Sequence, residues 1–270
     1  MATAMSGVKG YVLSVWGADI YDFPKKSILH KALLKYSLKK ADFLFSTSLA
    51  MAKEAQKYTT KKFEITPFGV DTELFKPSRK TRENDGLFIV GTVKGLSDKY
   101  GIKYILEAVA TIQNENKIPI RLRIAGKGPQ AEEYKKLAKE LKIDDITSWL
   151  GYISQEEAAK EWANMDVAII PSTLESESFG VSAVEAQACG TPVIVSDVPG
   201  LVEATIPNVS SIVVHKNSSY EIVCAIEELY ANKDLQVKLG QSGRNNVMNR
   251  FELDKCFISI ESFFYGIKNA

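Results

Sequence analysis

Pro171-Ser-Thr-Leu-Glu-Ser-Glu-Ser-Phe-Gly-Val-Ser-Ala-Val-Glu-Ala-Gln-Ala-Cys-Gly-Thr-Pro-Val-Ile194 runs from a polar loop into an apolar helix, which stops at Gly190. Thr191-Pro192 then leads straight into a strand of buried type, and Val167–Pro171 supplies a similar strand upstream. Strand, loop, helix and strand in this order form the repeating unit of a parallel sheet. The helix turns its unpaired N–H groups toward the loop, which favours an anion such as a phosphate. Glu177 is expected beside that anion, and Glu185 about two turns, about 12 Å, deeper along the helix.

Outward from this unit, short β-branched runs alternate with helical patterns. Strands are expected at Leu87–Val93, Ile120–Ala125, Ile146–Leu150, Val167–Pro171, Pro192–Val195 and Ser211–Val214. Helices are expected near 101–113, 130–142, 155–164, 180–189 and 219–231. The strand runs are apolar throughout, as happens when helices cover both faces of a parallel sheet. The fold class is therefore α/β: a complete Rossmann-like, doubly wound parallel sheet over residues 86–250, with ligands at the carboxyl ends of its strands. Residues 1–85 add strand candidates Tyr11–Val15, Phe43–Thr47 and Phe63–Thr66, separated by helices near 25–40 and 48–58. These strands either extend the larger sheet or belong to a second, partial one. Phe75–Asp85, with Pro77, Ser78 and a charge cluster, reads as a linker. Helical patterns over 234–250 and 253–268 end the chain. Residues 251–270 carry Phe257, Phe263, Phe264 and Tyr265 and are expected to pack back on the N-terminal part.

The 270 residues are 45% apolar with a formal net charge of +1, which suits a packed core and gives no reason to expect nucleic acid. The charge is unevenly placed: residues 1–85 carry 15 Lys and Arg against 9 Asp and Glu, and the remainder 19 against 24. Lys25, Lys26, Lys31, Lys35, Lys39 and Lys40 fall in residues 25–40 without an acid. Lys31, Lys35 and Lys39 recur every four residues opposite Ile28, Leu29, Ala32 and Leu33. That pattern fits a solvated helix face or a basic amphipathic helix lying on an anionic membrane surface. Cys189, Cys224 and Cys256 have no metal-ligand spacing, and His30 and His215 are the only histidines, so neither a disulfide framework nor a zinc site is expected. The sequence shows neither a signal-peptide pattern nor an apolar run of bilayer length. A soluble, cytoplasmic protein, peripheral at the inner face of the membrane through residues 25–40, is the expectation.

Glu177-Ser-Phe-Gly, four residues, and Glu185-Ala-Gln-Ala-Cys-Gly-Thr-Pro-Val-Ile together resemble the paired-glutamate motif of the retaining group 1 glycosyltransferases. Those are two-domain enzymes of the GT-B fold whose C-terminal Rossmann-like domain holds the donor. Other blocks follow the family's order: Pro67-Phe-Gly-Val-Asp71 with Phe75-Lys-Pro77, Gly91, Lys99-Tyr-Gly101 and Ala125-Gly-Lys-Gly-Pro129. Leu150-Gly151, Asp166-Val-Ala-Ile-Ile-Pro-Ser172 and Gly200-Leu-Val-Glu203 complete the set. The resemblance spans residues 10–255.

It implies transfer of a sugar from a nucleotide-diphosphate-sugar to an acceptor hydroxyl with retention, in a setting such as cell-envelope polysaccharide synthesis. The acceptor attacks on the leaving-group face and a phosphate oxygen takes its proton. Glu177 would hold hydroxyls of the donor sugar and Glu185 the ribose, since a carboxylate accepts two charge-assisted bonds from a diol. Ser178, Phe179 and Gly180, at the helix start, would meet the diphosphate. Lys99 matches the family's second phosphate-binding cation. Thr92 stands where an arginine commonly follows the glycine, so Lys94 becomes the candidate substitute, a point charge without arginine's fork. The catalytic candidates are thus Glu177, Lys99 and Lys94, and Gly91, Gly126 and Gly128 complete the donor-binding set. Gly126-Lys-Gly128-Pro129 lacks the third glycine of a dinucleotide fingerprint and reads as a tight turn lining the donor cleft. There is no Asp-x-Asp motif, so no metal and no other cofactor is expected; lysines and the helix dipole would neutralise the leaving group. Asp166 and Ser172 read as structural.

Family members carry about four βα units before the segment matching Tyr11-Val-Leu-Ser-Val-Trp-Gly-Ala-Asp19, whereas this chain begins close to Trp16. Trp16-Gly17 also stands where many relatives have a histidine beside the glycine. Residues 1–85 would then be a partial acceptor-side domain with an unpaired sheet edge. The expected partners are a nucleotide-sugar donor and a sugar or lipid-linked acceptor. The alternative is a non-catalytic sugar-nucleotide-binding subunit, or a truncated transferase, that needs a second chain for the acceptor half. An epimerase or an NAD oxidoreductase fits the motifs less well.

Overall fold

The computed structural model of the protein describes residues 2–78, 86–115 and 118–268. Residues 79–85 of the expected linker lie outside the described residues. Two parallel sheets organise the chain, which decides the question that the first 85 residues left open. The smaller has the order β1-β2-β3 (Val12–Val15, Phe43–Ser46, Phe63–Ile65). Helices α1 (Ala2–Met5), α2 (Ala18–Tyr21), α3 (Ile28–Lys40) and α4 (Leu49–Ala55) accompany it.

The larger sheet contains β4 (Phe88–Val93), β5 (Ile120–Ala125), β6 (Thr147–Gly151), β7 (Val167–Ile170), β8 (Val193–Ser196) and β9 (Ser211–Val214). Between its strands run α5 (Ile102–Asn114), α6 (Ala131–Glu140), α7 (Gln155–Asn164), α8 (Val181–Ala188) and α9 (Pro199–Ala204). The chain closes with α10 (Ser219–Ala231), α11 (Lys233–Arg250) and α12 (Leu253–Lys268). The strand order is β6-β5-β4-β7-β8-β9, all parallel.

β7 and β8 are buried along their whole length because their alternating side chains enter two separate cores. Val167, Ile169 and Ile194 pack with Ile105 of α5 and Ile226 of α10. Ala168, Ile170, Val193 and Val195 pack with Trp162 of α7 and Val184 of α8 on the opposite face. The helices are delimited by ordinary end chemistry. Ser154 and Glu157 form a reciprocal capping box at α7, and Ser27, Ser48 and Ser218 cap α3, α4 and α10.

The order turns at the β4–β7 neighbours: from there β5 and β6 lie to one side, β8 and β9 to the other. A crevice opens outside the carboxyl ends of strands at such a switch point. The residues that follow β1 and β2 meet the loop after β7 beside it, with Ser178 Oγ donating to Trp16 O and Ser48 Oγ to Ser178 O. After α11 the chain meets the segment that follows β3, with Val70 N–H donating to Phe251 O (2.8 Å) and Leu253 N–H to Val70 O (3.2 Å). In α12 the Phe263 ring meets Phe43 and Phe45 edge-on, at 5.4 and 4.9 Å.

α3 buries Leu34, Ser37 and Leu38 against the smaller sheet, whereas Ile28 and Leu29 stand 90% and 65% exposed beside the lysines. The apolar pair opposite Lys31, Lys35 and Lys39 therefore lies on the surface of the smaller unit.

Candidate functional site

At the switch point β4 passes into the loop carrying Lys94 and Lys99, and β7 into the loop carrying Glu177. Backbone and side-chain bonds hold the two loops together. Thr173 N–H donates to Lys99 O (2.8 Å), the Thr173 hydroxyl to Asp98 O (3.0 Å), and Lys99 Nζ to Ser176 O (2.9 Å). Lys94 Nζ donates to Glu177 Oε1 at 2.8 Å, with the two side chains only 11% and 8% exposed. The Tyr100 ring faces both ammonium groups, its centroid 4.8 Å from Lys94 Nζ and 5.4 Å from Lys99 Nζ, a cation–π arrangement. Desolvation holds the Lys99 pKa below the ordinary lysine value; Glu177 opposes the shift and Lys94 reinforces it.

α8 starts at Gly180, whose φ of +82° lies in the left-handed region, and a Cβ there would sit 2.6 Å from Leu201 Cδ2. Only glycine makes this turn without strain. No side chain caps the first turn of α8, and Ser182 Oγ fastens it to β4 by donating to Val93 O (3.0 Å). Because the helix begins at Val181, Glu185 lies about 6 Å along the axis from its start. Trp162 Nε1–H donates to Glu185 Oε2 at 3.2 Å. Burial raises the Glu185 pKa above the usual carboxylate range, with the indole N–H and the Lys94 charge partly offsetting it.

Other expected site residues have different surroundings. Gly91 lies inside β4, where a Cβ would overlap Arg123 O and approach Met165 Cε at 2.8 Å. Its small size serves strand packing. A Cβ at Gly126 or Gly128 would overlap the backbone carbonyl of Lys94 or Leu96. Both glycines thus bring a neighbouring loop close enough to support Lys94. Phe179 is a wedge between the two units, its ring edge-on to Phe68 (5.6 Å) and Phe251 (5.4 Å). Asp166 is structural, accepting the Ile89 N–H at 2.7 Å. The hydroxyls of Thr92 in β4, and of Ser172 and Ser176 in the loop after β7, are buried and without a hydrogen-bond partner. Among the described residues no group of three His, Cys, Asp or Glu side chains is placed to hold a metal.

Ser178 joins the units. Its Oγ donates to Trp16 O (2.9 Å), and its carbonyl accepts from Ser48 Oγ (2.6 Å). Beside it the Glu203 carboxylate accepts the first two N–H groups of α4, from Leu49 (2.7 Å) and Ala50 (2.8 Å). A carboxylate is the favoured group at such a helix end. Sequence reasoning did not single out Trp162, Tyr100, Ser48 or Glu203 for the site. Tyr100 and Glu203 stand within quoted motifs, but nothing local to either says what it meets.

Two Rossmann-type units facing one crevice, with the lysines, the paired glutamates and the α8 N-terminus along one wall, define the GT-B class. Residues 75–246 match the profile of the glycosyl transferases group 1 family, and residues 1–48 that of a glycosyl transferase 4-like family. The chain belongs to the group 1 glycosyltransferases. It is 30% identical over 218 residues to the D-inositol 3-phosphate glycosyltransferase of Pseudarthrobacter chlorophenolicus, a match covering 76% of this chain and 51% of that relative. The chain thus spans about half the length of this curated relative. Among solved structures, sucrose-phosphate synthase from Thermosynechococcus elongatus superposes with a TM-score of 0.83 at 24% identity, over 96% of this chain and 68% of that one. HepE of Anabaena, solved with UDP and glucose, superposes with a TM-score of 0.80 at 18% identity, over 98% and 73%. Both structural likenesses concern the fold.

Proposed function

We propose that the crevice binds a nucleotide-diphosphate-sugar and that the protein transfers its sugar to an acceptor hydroxyl with retention of configuration and without a metal. The observation that carries this reading is the buried Lys94–Glu177 pair beside Lys99 at the β4–β7 switch point. The opening amides of α8 and the two ammonium groups supply positive potential for a leaving diphosphate. Glu177 reads sugar hydroxyls and Glu185 the ribose. The acceptor attacks from the leaving-group side, and its proton passes to a phosphate oxygen, so the chain's residues position and stabilise without a covalent step. The UDP and glucose in the HepE structure support a sugar nucleotide as ligand class.

Calorimetric titration with uridine, guanosine and adenosine diphosphate sugars tests the reading. One of them is expected to bind with Kd of about 1 μM to 1 mM; binding by none overturns it. Glu185→Gln is expected to weaken that affinity roughly tenfold by removing a charge-assisted bond. The same variant should be more stable than the parent. Native Glu185 holds its proton more tightly than the unfolded carboxyl does, so its contribution to stability falls as pH rises from the ordinary carboxylate pKa through the raised native one. The gain in Tm therefore appears across that window and is full only above the raised native pKa. Affinity unchanged in Glu185→Gln would remove this residue from the ribose.

A second reading has its own support. Among the described residues β1 pairs only with β2, leaving the other backbone edge of the smaller sheet unmatched. A subunit that binds the donor and receives the rest of its acceptor side from another chain would have such an edge. Donor binding without transfer by the isolated chain favours this reading, and turnover opposes it. The exposed Ile28 and Leu29 next to Lys25 and Lys26 further support a peripheral contact with anionic lipid. Sedimentation with vesicles containing phosphatidylserine should carry the protein down at low salt and release it as salt rises; no sedimentation at low salt rules the contact out.

A further inference from the structure

A cavity of about 670 Å³ opens between α4 of the smaller unit and α9 of the larger, with Glu175 and Asp197 on the loops that follow β7 and β8. Neither the Lys94–Glu177 pair nor Glu185 lines it. Its wall carries four carboxylates, Glu54, Glu175, Asp197 and Glu203, against the ammonium groups of Lys53 and Lys57, so its potential is negative. The fold already uses some of these groups. Glu203 caps α4, Glu54 pairs with Lys57 at 2.5 Å, and one Asp197 oxygen accepts the Lys216 N–H at 2.9 Å. Among the described residues the Glu175 carboxylate, the second Asp197 oxygen and the Lys53 ammonium are left without a bonding partner.

The floor of the cavity is Tyr21, the last residue of α2, only 3% exposed. Its hydroxyl forms no hydrogen bond with any described residue, yet unlike those of Thr92, Ser172 and Ser176 it keeps accessible surface. Burial, and then the charges of Glu54, Glu175 and Glu203, push its pKa up to about 12. All three carboxylates line the cavity, so the hydroxyl that feels them faces into it. A buried phenol normally has a hydrogen-bond partner; here the open side is the cavity.

We propose that this cavity binds a small organic cation that carries a primary ammonium beside hydroxyl groups, as an amino sugar does. The ammonium meets Glu175 and the uncommitted Asp197 oxygen through charge-assisted bonds. One ligand hydroxyl pairs with Tyr21, and another accepts from Lys53. Leu49, Pro199 and Val202 give the ligand's C–H face an apolar wall. Tyr21 and Lys53 belong to one unit, and Glu175 and Asp197 to the other, so the occupied cavity fastens the two together. The site does not rest on the transferase reading.

The test titrates the full chain with glucosamine, at slightly acidic pH where its amine is charged, by ligand-observed NMR. N-acetylglucosamine, which keeps the ring and loses the charge, is the comparison. Glucosamine is expected to bind saturably with Kd of about 5 mM or lower, and N-acetylglucosamine roughly tenfold more weakly. Tyr21→Phe should weaken glucosamine binding roughly three- to tenfold. Glu175→Gln, at an exposed position, should weaken it by a similar factor without disturbing the fold. Glu140→Gln, an exposed acid of α6 outside the cavity, should leave it unchanged. No saturable glucosamine binding by the parent overturns the proposal, as does equal binding of the two sugars. Affinity lost in Glu177→Gln but kept in Tyr21→Phe and Glu175→Gln would put the sugar in the crevice and overturn it too.

Discussion

Lys94→Met is expected to lower the unfolding free energy by about 3–5 kcal/mol, because it leaves the Glu177 carboxylate buried without its counter-charge. Each partner of the pair is about nine-tenths withdrawn from water, and the ammonium at 2.8 Å is the only cation bonded to Glu177 among the described residues. The cost should be largely recovered in the double variant Lys94→Met/Glu177→Leu. Replacing both charges with apolar groups removes their desolvation penalty together with their attraction. Urea denaturation of the parent, both single variants and the double variant measures the coupling directly. Donor binding should not follow stability through this cycle. Every member lacking either charge is expected to lose it, including the restabilised double variant, because the same two groups would have to turn toward sugar and diphosphate. A double variant that regained both stability and donor affinity would leave the pair purely structural.

That pair also shows what was legible in the sequence and what was not. The βα alternation is a local property, and the chain ends its elements where local chemistry says. Ser211–Val214 and α10 over Ser219–Ala231 have the expected bounds, and α7 spans 155–164 as expected, with Ser154 as its cap. Both glutamates and both lysines reach one wall because the β4–β7 switch point follows from strand order. α9, by contrast, was unforeseen. Its six residues, beginning Pro199-Gly-Leu-Val, are too few to show helical periodicity. Its position is fixed by Gly200, where a Cβ would overlap Glu177 O, and by Glu203, whose partners lie 153 and 154 residues away. No pattern within a window reports a contact at that range. The glycines illustrate the same limit. A Gly-x-Gly run says that something approaches the backbone closely, but not whether it is a phosphate or another loop. At Gly126 and Gly128 it is a loop.

Gly126→Ala is accordingly expected to be the most damaging small substitution near the site, costing at least about 3 kcal/mol from two independent causes. A φ of +138° is a backbone conformation that L side chains rarely adopt, worth about 1–3 kcal/mol of strain. The added methyl would also overlap Lys94 O, and backbone cannot move aside as a flexible side chain can. An internal control separates these causes. Gly151, whose carbonyl accepts the Gly126 N–H, has a φ of +66° but nothing within 4 Å of its ideal Cβ. Gly151→Ala should therefore show strain alone, roughly 1–2 kcal/mol, and keep donor affinity near that of the parent. Gly128→Ala has the overlap, with Leu96 O, at a φ that does not demand glycine, so it should show mainly the steric cost. If the Lys94 loop is placed by contact with these glycines, donor affinity falls in Gly126→Ala and Gly128→Ala and survives in Gly151→Ala. Equal stability losses at Gly126 and Gly151, with affinity intact in both, would show that the loop keeps its position without this backbone contact.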